Sequence, residues 1–238
     1  MAAPRTAMIL AAGFGTRMRP LTEARPKPLI PVAGRALIDH ALDRAEAAGV
    51  TRAVVNLHDR GGMIRAHLAD RAAPEIVFSE EQPEILDTGG GVALAAQRGL
   101  LGAAPVIVMN ADAIWTGGDP LAALSAAWEP ETMAACLLLV PRSRARAYTR
   151  PGDFRLEGGR PLRRGAAAEA PCVYTGAQIL DPAVLADAPE GAFSMNLVWD
   201  RLLAEGRLGA AVHPGGWVDV GTPAGIAEAE AALAAEGP

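Results

Sequence analysis

Apolar residues in this chain fall in short unbroken runs separated by segments of helical period. Residues 6–11 (TAMILA), 52–57 (RAVVNL), 105–109 (PVIVM) and 133–140 (MAACLLLV) are such runs, and 75–78 (EIVF) is a shorter one. Runs without alternation read as strands covered on both faces. Between them, residues 36–48 put Leu37, Ala41, Leu42 and Ala45 on one face and stop at Gly49, a C-cap signal. Residues 62–69, 91–99 and 120–127 also read as helices. The order βαβαβαβαβ predicts an α/β fold with an open, mostly parallel twisted sheet and helices on both faces. Residues 12–35, rich in Gly, Pro and Arg, read as an ordered loop.

After Pro141 the pattern changes. Glu157-Gly158-Gly159-Arg160 reads as a hairpin turn between two short strands. Residues 172–180, 208–213 and 217–220 read as strands. Residues 194–204 read as a helix closed by Glu205-Gly206, and 223–235 as an Ala-rich helix opened by Pro223. No linker divides the chain, so we expect one domain over residues 1–238, with halves 1–140 and 141–238.

Composition narrows the function classes. The 238 residues carry 22 basic and 27 acidic side chains, a formal charge of −5. A mildly acidic chain without a basic tail is a poor nucleic-acid binder. No apolar run approaches the ~18 residues of a membrane helix, and the N-terminus has no adequate secretory h-region. Two cysteines make neither a disulfide framework nor a zinc site. A cytoplasmic setting is expected. Among the 22 basic residues, 21 are Arg and one, Lys27, is Lys. Ala/Arg drift explains most of that bias. The surviving Lys is either chance or a site where a compact ammonium does not exchange for a guanidinium fork.

Five segments carry candidate chemistry. Leu10-Ala11-Ala12-Gly13-Phe14-Gly15-Thr16-Arg17 follows the first strand, where open α/β sheets bind ligands. Gly13 and Gly15 allow backbone N–H groups close to a phosphate, and Arg17 offers a bidentate guanidinium. No Gly-Lys-Ser/Thr follows, and Met18 stands where a dinucleotide fingerprint needs its third Gly. Pro26-Lys27-Pro28 fixes the backbone around the one Lys, as stabilisation of a transferring phosphoryl group requires. Asp112 and Asp219 each end an apolar strand. Either alone reads as a turn or cap residue. Together, near a phosphate loop, they suit Mg²⁺, which takes few protein oxygens. Asp87-Thr88-Gly89-Gly90-Gly91 opens a helix, where three glycines leave room for a ring or ribose against backbone. His58 follows a strand end and is a candidate for the cleft; no Ser elbow or Cys–His pair is present.

These motifs in combination resemble the signature of the sugar-phosphate nucleotidyltransferases over nearly the whole chain. The resemblance implies a Rossmann-like fold without the β-helical extension of longer members. It also implies attack of a sugar 1-phosphate on the α-phosphorus of a nucleoside triphosphate, with Mg²⁺ as cofactor. Residues 1–140 would then hold nucleotide and 141–238 sugar. By the family pattern, Arg17, Lys27 and Asp112 are catalytic, and Asp112 and Asp219 hold the metal. Ala11, Ala12, Gly13, Gly15, Thr16, Gln82, Thr88 and Gly89 bind the nucleotide, with Gln82, or else Glu80 or Glu81, reading the base. Asn110, Glu169, Gly176 and Asn196 line the sugar pocket, with Tyr174 and Trp199 beside them. Asn110-Ala111-Asp112 departs from the commoner Asn-Gly-Asp.

Within the family the chain is most similar to short members acting on N-acetylmuramate 1-phosphate and UTP in peptidoglycan recycling. GTP with a mannose or heptose 1-phosphate is the alternative. A non-catalytic NDP-sugar-binding module is the reading from another class. The expected state is a monomer or small homo-oligomer that binds neither nucleic acid nor membrane.

Overall fold

The computed structural model describes residues 3–236. In chain order the elements are β1 (Thr6–Leu10), β2 (Pro31–Val32), β3 (Arg35–Ala36), α1 (Leu37–Ala47), β4 (Arg52–Leu57), α2 (Gly61–His67), β5 (Glu75–Glu80), α3 (Asp87–Gln97), β6 (Val106–Asn110) and β7 (Ala113–Thr116). There follow α4 (Pro120–Ala127), β8 (Ala135–Pro141), β9 (Ala145–Arg146), β10 (Phe154–Glu157), β11 (Arg160–Arg163), β12 (Cys172–Leu180), α5 (Asn196–Ala204), β13 (Leu208–Val212), β14 (Gly216–Asp219) and α6 (Pro223–Glu236).

The main sheet runs β11-β10-β12-β6-β1-β4-β5, with β8 paired to β12 and β13 to β8. Strands β6, β1, β4 and β5 are mutually parallel, as their uninterrupted apolar runs predict. Their residues alternate between two cores. Ala7 and Ile9 pack on one face with Ile38 and Leu42 of α1 and Leu121 and Leu124 of α4. Met8 packs on the other with Val92 of α3 and Val198 and Leu202 of α5. Helices therefore cover both faces, which leaves only the strand ends open to ligand.

Three features differ from the sequence expectation. Strand β8 does not continue the parallel run, because β12 inserts antiparallel between it and β6. The predicted loop 12–35 contains three short 3-10 turns and the β2–β3 hairpin. Strand β7 was missed: its four residues follow the Ala111-Asp112 turn at once and are too few to show a period of their own. Strand β7 pairs with β14, and β14 with β9, in a second small sheet. This sheet, with Met18, Val32 and Leu37, builds a third core under Ala229 and Ala232 of α6.

Candidate active site

A cleft of about 290 Å³ opens beyond the carboxyl ends of β1 and β6. One wall is the turn after β1, where Gly15 takes φ +59. A side chain there would be strained by that φ, and its Cβ would meet the Cβ of Lys27 at 2.8 Å. Met18 N–H and the Thr22 hydroxyl both donate to the Gly15 carbonyl. Among the described residues, the N–H groups of Gly13, Phe14 and Gly15 donate to no protein acceptor. Gly13, Gly15, Thr16 and Arg17 all line the cleft. A turn of free N–H groups beside a guanidinium is an anion cradle. Ala11 and Ala12 line it too, but the Ala11 N–H is already used, donating to Asn56 Oδ1 at 2.6 Å.

The two acidic residues meet because of the strand pair that the sequence concealed. Asp219 of β14 lies opposite Ala113 of β7, and Val220 N–H donates to the Asp112 carbonyl. The carboxyls are thereby brought to one spot. Burial, and secondly the charge of Asp112, hold the Asp219 carboxyl above its usual range. Lys27 Nζ donates to Asp112 Oδ2 at 2.5 Å, and Lys27 is only 9% exposed. Arg17 closes the group: a Cβ on Gly221 would lie 2.8 Å from Asp219 Oδ1 and 3.1 Å from either terminal nitrogen of Arg17. Lys27, Arg17, Asp112 and Asp219 thus form one constellation, as the motifs predicted.

On the far side of the cleft the expectation needs correction. Gln82 is exposed and outside the lining, because the chain turns outward after β5. Glu81, fully buried, points in instead. Its Oε1 accepts from Asn56 Nδ2 at 2.6 Å and its Oε2 from Leu86 N–H at 2.8 Å. With Ala11 N–H on Asn56 Oδ1, the chain Ala11–Asn56–Glu81–Leu86 ties the phosphate turn to the loop before α3. Asn56 was missed; the signal was a lone amide in the apolar run RAVVNL. His58 holds the Glu81 carbonyl and does not line the cleft.

The glycine run also serves another purpose. Helix α3 begins at Asp87, so Gly89, Gly90 and Gly91 lie inside its first turns. A Cβ on Gly89 would strike the Phe193 ring at 2.4 Å, one on Gly90 the Gly191 carbonyl at 2.4 Å, and one on Gly91 Glu81 Oε1 at 2.5 Å. Protein, not open space, fills the place expected for a ring. Gly89 is buried away from the cleft, whereas Thr88 lines it and accepts from Met195 N–H.

A second chamber of about 320 Å³ adjoins the first and shares with it Leu10, Arg17, Asp87, Thr88, Asn110 and Asp112. Its walls include Tyr174, Gly176, Asn196, Trp199 and Asp219. Tyr174 and Trp199 meet edge to face at 4.6 Å, and Trp199 Nε1 donates to Gln178 Oε1. Gly176 sits at a bulge in β12 with φ +83, and any side chain would press on Asn110, 2.7 Å from Nδ2. Glu169 is not in this chamber. It is exposed and paired with Arg142 at 2.9 Å, because residues 165–169 loop outward from the sheet. Burial pushes the Cys136 thiol up to about 12 and raises that of Cys172, so neither offers a thiolate nucleophile.

Comparison with known proteins gives the family and the fold. The chain is 46% identical to the N-acetylmuramate alpha-1-phosphate uridylyltransferase of Caulobacter vibrioides, covering 98% of each. It is 35% identical to the protein of that name from Neisseria meningitidis, covering 94% of this chain and 96% of the relative. The solved inositol-1-phosphate CTP transferase of T. maritima superposes with a TM-score of 0.80 at 17% identity, over 98% of this chain and 97% of that one. A model of the nucleotidyl transferase family matches residues 6–149, through the phosphate turn, Lys27 and Asp112. The protein is an enzyme fold of that lineage throughout, and the chain belongs to the nucleotidyl transferase family.

Proposed function

We propose that the protein joins UTP and N-acetylmuramate 1-phosphate to give UDP-N-acetylmuramate and pyrophosphate, a cytoplasmic step of peptidoglycan recycling. The observation that carries the reading is the shared wall: two chambers meet at Arg17 and Asp112, and Lys27, in the first of them, pairs with Asp112. Such a junction brings the reacting phosphates together. The choice of base and sugar is supported by the 46% identity to the Caulobacter vibrioides uridylyltransferase.

A sugar phosphate oxygen attacks the α-phosphorus in line and pyrophosphate leaves, without a covalent enzyme intermediate. Catalysis is then positioning and charge neutralisation. The free N–H groups of Gly13, Phe14 and Gly15, with Thr16 and Arg17, hold the departing phosphates. Lys27 neutralises the sugar phosphate and α-phosphate. Ala12, Gly13 and Thr88 frame the nucleoside, with Glu81 and Asn56 behind it. Asn110, Gly176 and Asn196 face the sugar.

Asp112 and Asp219 would hold Mg²⁺. The donor set fits: two crowded carboxylates, one with its pKa raised by burial and by the other, are relieved by a divalent cation. The ion supplies charge neutralisation on phosphate oxygens when bound. We read the chain as one catalytic domain over residues 1–238, with nucleotide on 1–140 and sugar mainly on 141–238.

Pyrophosphate release in Mg²⁺ tests the reading, with UTP, GTP, CTP and dTTP crossed against N-acetylmuramate, mannose, glucose and N-acetylglucosamine 1-phosphates. Release is expected chiefly with UTP and N-acetylmuramate 1-phosphate. Release confined to GTP and mannose 1-phosphate would overturn the substrates and keep the chemistry.

A further inference from the structure

Three guanidinium groups reach the second chamber: Arg17, Arg150 and Arg163. Arg17 belongs to the phosphate junction. Arg163 is committed, since it lies 2.7 Å from Asp200 and donates to Asn196 Oδ1 at 2.8 Å while stacking near Phe154 and Trp199. Its charge is cancelled and its donors are largely used. Arg150 differs. Among the described residues no carboxylate lies within ion-pair reach of it, and its guanidinium donates to no protein acceptor.

Arg150 is nonetheless held in place. Its guanidinium lies over the Tyr148 ring at 5.0 Å, and that ring meets Trp217 edge to face at 6.0 Å. Trp217 Nε1 in turn donates to the Thr175 carbonyl. The backbone is fixed from the other side, where Arg142 Nε donates to the Arg150 carbonyl and Arg142 pairs with Glu169. Strand β9, just before, pairs with β14, which carries Asp219. An unpaired cation, itself exposed, is thus stacked on Tyr148 at the rim of the sugar chamber. An uncharged hexose, its phosphate already met by Lys27 and Arg17, would offer this fork hydroxyl acceptors but no charge to match.

We propose that Arg150 forms a carboxylate-binding subsite, taking the acidic ether arm that distinguishes a muramic acid from a plain amino sugar. The subsite rests on the proposed function and names the chemical feature of the sugar that the chamber selects. A guanidinium matches a carboxylate with two parallel hydrogen bonds, so the contact is charged and directional.

The test is kcat/KM with UTP and two sugars, N-acetylmuramate 1-phosphate and N-acetylglucosamine 1-phosphate, which lacks the carboxylate arm. In Arg150→Gln the preference for the first over the second falls roughly 10- to 100-fold, the worth of a charged hydrogen bond, and the fall lies in KM. Arg150→Lys, which keeps the charge and loses the fork, falls between. A preference unchanged in Arg150→Gln overturns the subsite. Equal losses with both sugars also overturn it, because the guanidinium then serves the phosphate they share. Wild-type turnover of N-acetylmuramate 1-phosphate with either of these results refutes the subsite alone. Absence of wild-type turnover of that sugar refutes the proposed function and the subsite with it.

Discussion

Lys27 is the one lysine beside 21 arginines, and its surroundings explain why arginine would not serve. Nζ lies 2.5 Å from Asp112 Oδ2, with the side chain 11% exposed. Along an arginine in the same path, the guanidinium carbon falls where Nζ now lies. A terminal nitrogen then projects a further ~1.3 Å, into the carboxylate. The Lys27 backbone cannot retreat easily, since Gly15 packs against its Cβ so closely that an added Cβ would be 2.8 Å away. In Lys27→Arg, therefore, Asp112 or the new side chain moves by about 1 Å, and a misplacement of that size costs on the order of 100-fold in turnover. Lys27→Ala removes the charge outright and costs about 100- to 1,000-fold, as for one preorganised donor. Steady-state pyrophosphate release at saturating substrates is the assay, with circular dichroism to confirm folding. Turnover of Lys27→Arg within about threefold of wild type would refute the steric argument, since a difference that small is under 1 kcal/mol.

The remaining expectations concern the network, the glycines, the metal pair and a buried histidine. Asn56→Ala strands the Ala11 N–H and one oxygen of Glu81, and should lower stability by roughly 2–4 kcal/mol in urea denaturation. A double-mutant cycle with Glu81→Ala should show coupling of about 1.5–3 kcal/mol, and additivity would mean the hydrogen bond contributes nothing. Gly90→Ala drives a methyl into the Gly191 carbonyl and should cost about 1–3 kcal/mol by the same measurement; an unchanged midpoint would show that the 191–195 loop yields freely. Asp219→Asn should abolish Mg²⁺-dependent product formation with the melting temperature retained, and wild-type Mg²⁺ dependence would exclude a two-carboxylate site. Burial holds the His213 pKa below its ordinary 6.5, so the unfolded chain binds the proton more readily. Stability from this group is full above pH 6.5 and is lost as pH falls toward the folded value. His213→Gln should flatten the change in urea midpoint between pH about 7.5 and about 5.5; equal slopes in both proteins would rule His213 out as a source.

The parallel half of the sheet was legible because buried strands and amphipathic helices leave different periods in a sequence. Lys27, Arg17, Asp112 and Asp219 were legible in combination, since either Asp alone reads as a turn or cap residue. The means of their meeting was not, because it depends on β7, a four-residue strand absent from the sequence reading, pairing with a strand about a hundred residues away. Gln82 and Glu169 lie exposed outside the two chambers for a related reason. Composition suggests what a side chain would bind, while backbone direction decides whether it faces the ligand. Asn56 and Glu81 carried a fainter signal, polar residues at the ends of apolar strands, whose weight appears only once both are buried together. The glycine run was read as room for a ring or ribose, and the groups that press on it proved to be Phe193, Gly191 and Glu81.

The β7–β14 pairing also has a consequence for how the protein is made. Asp112 emerges from the ribosome about a hundred residues before Asp219, the residue that β14 brings beside it. A nascent chain that has made β6 and β7 holds Asp112 alone, and on the proposed function that is half of a cation site. A ligand that needs both carboxylates cannot bind it, and so stabilises only the finished molecule by mass action. Closing that pair is a contact of very long sequence separation, the kind that forms late. On the proposed function, nucleotide and cation would therefore favour chains in which β14 has paired with β7 over those in which it has not.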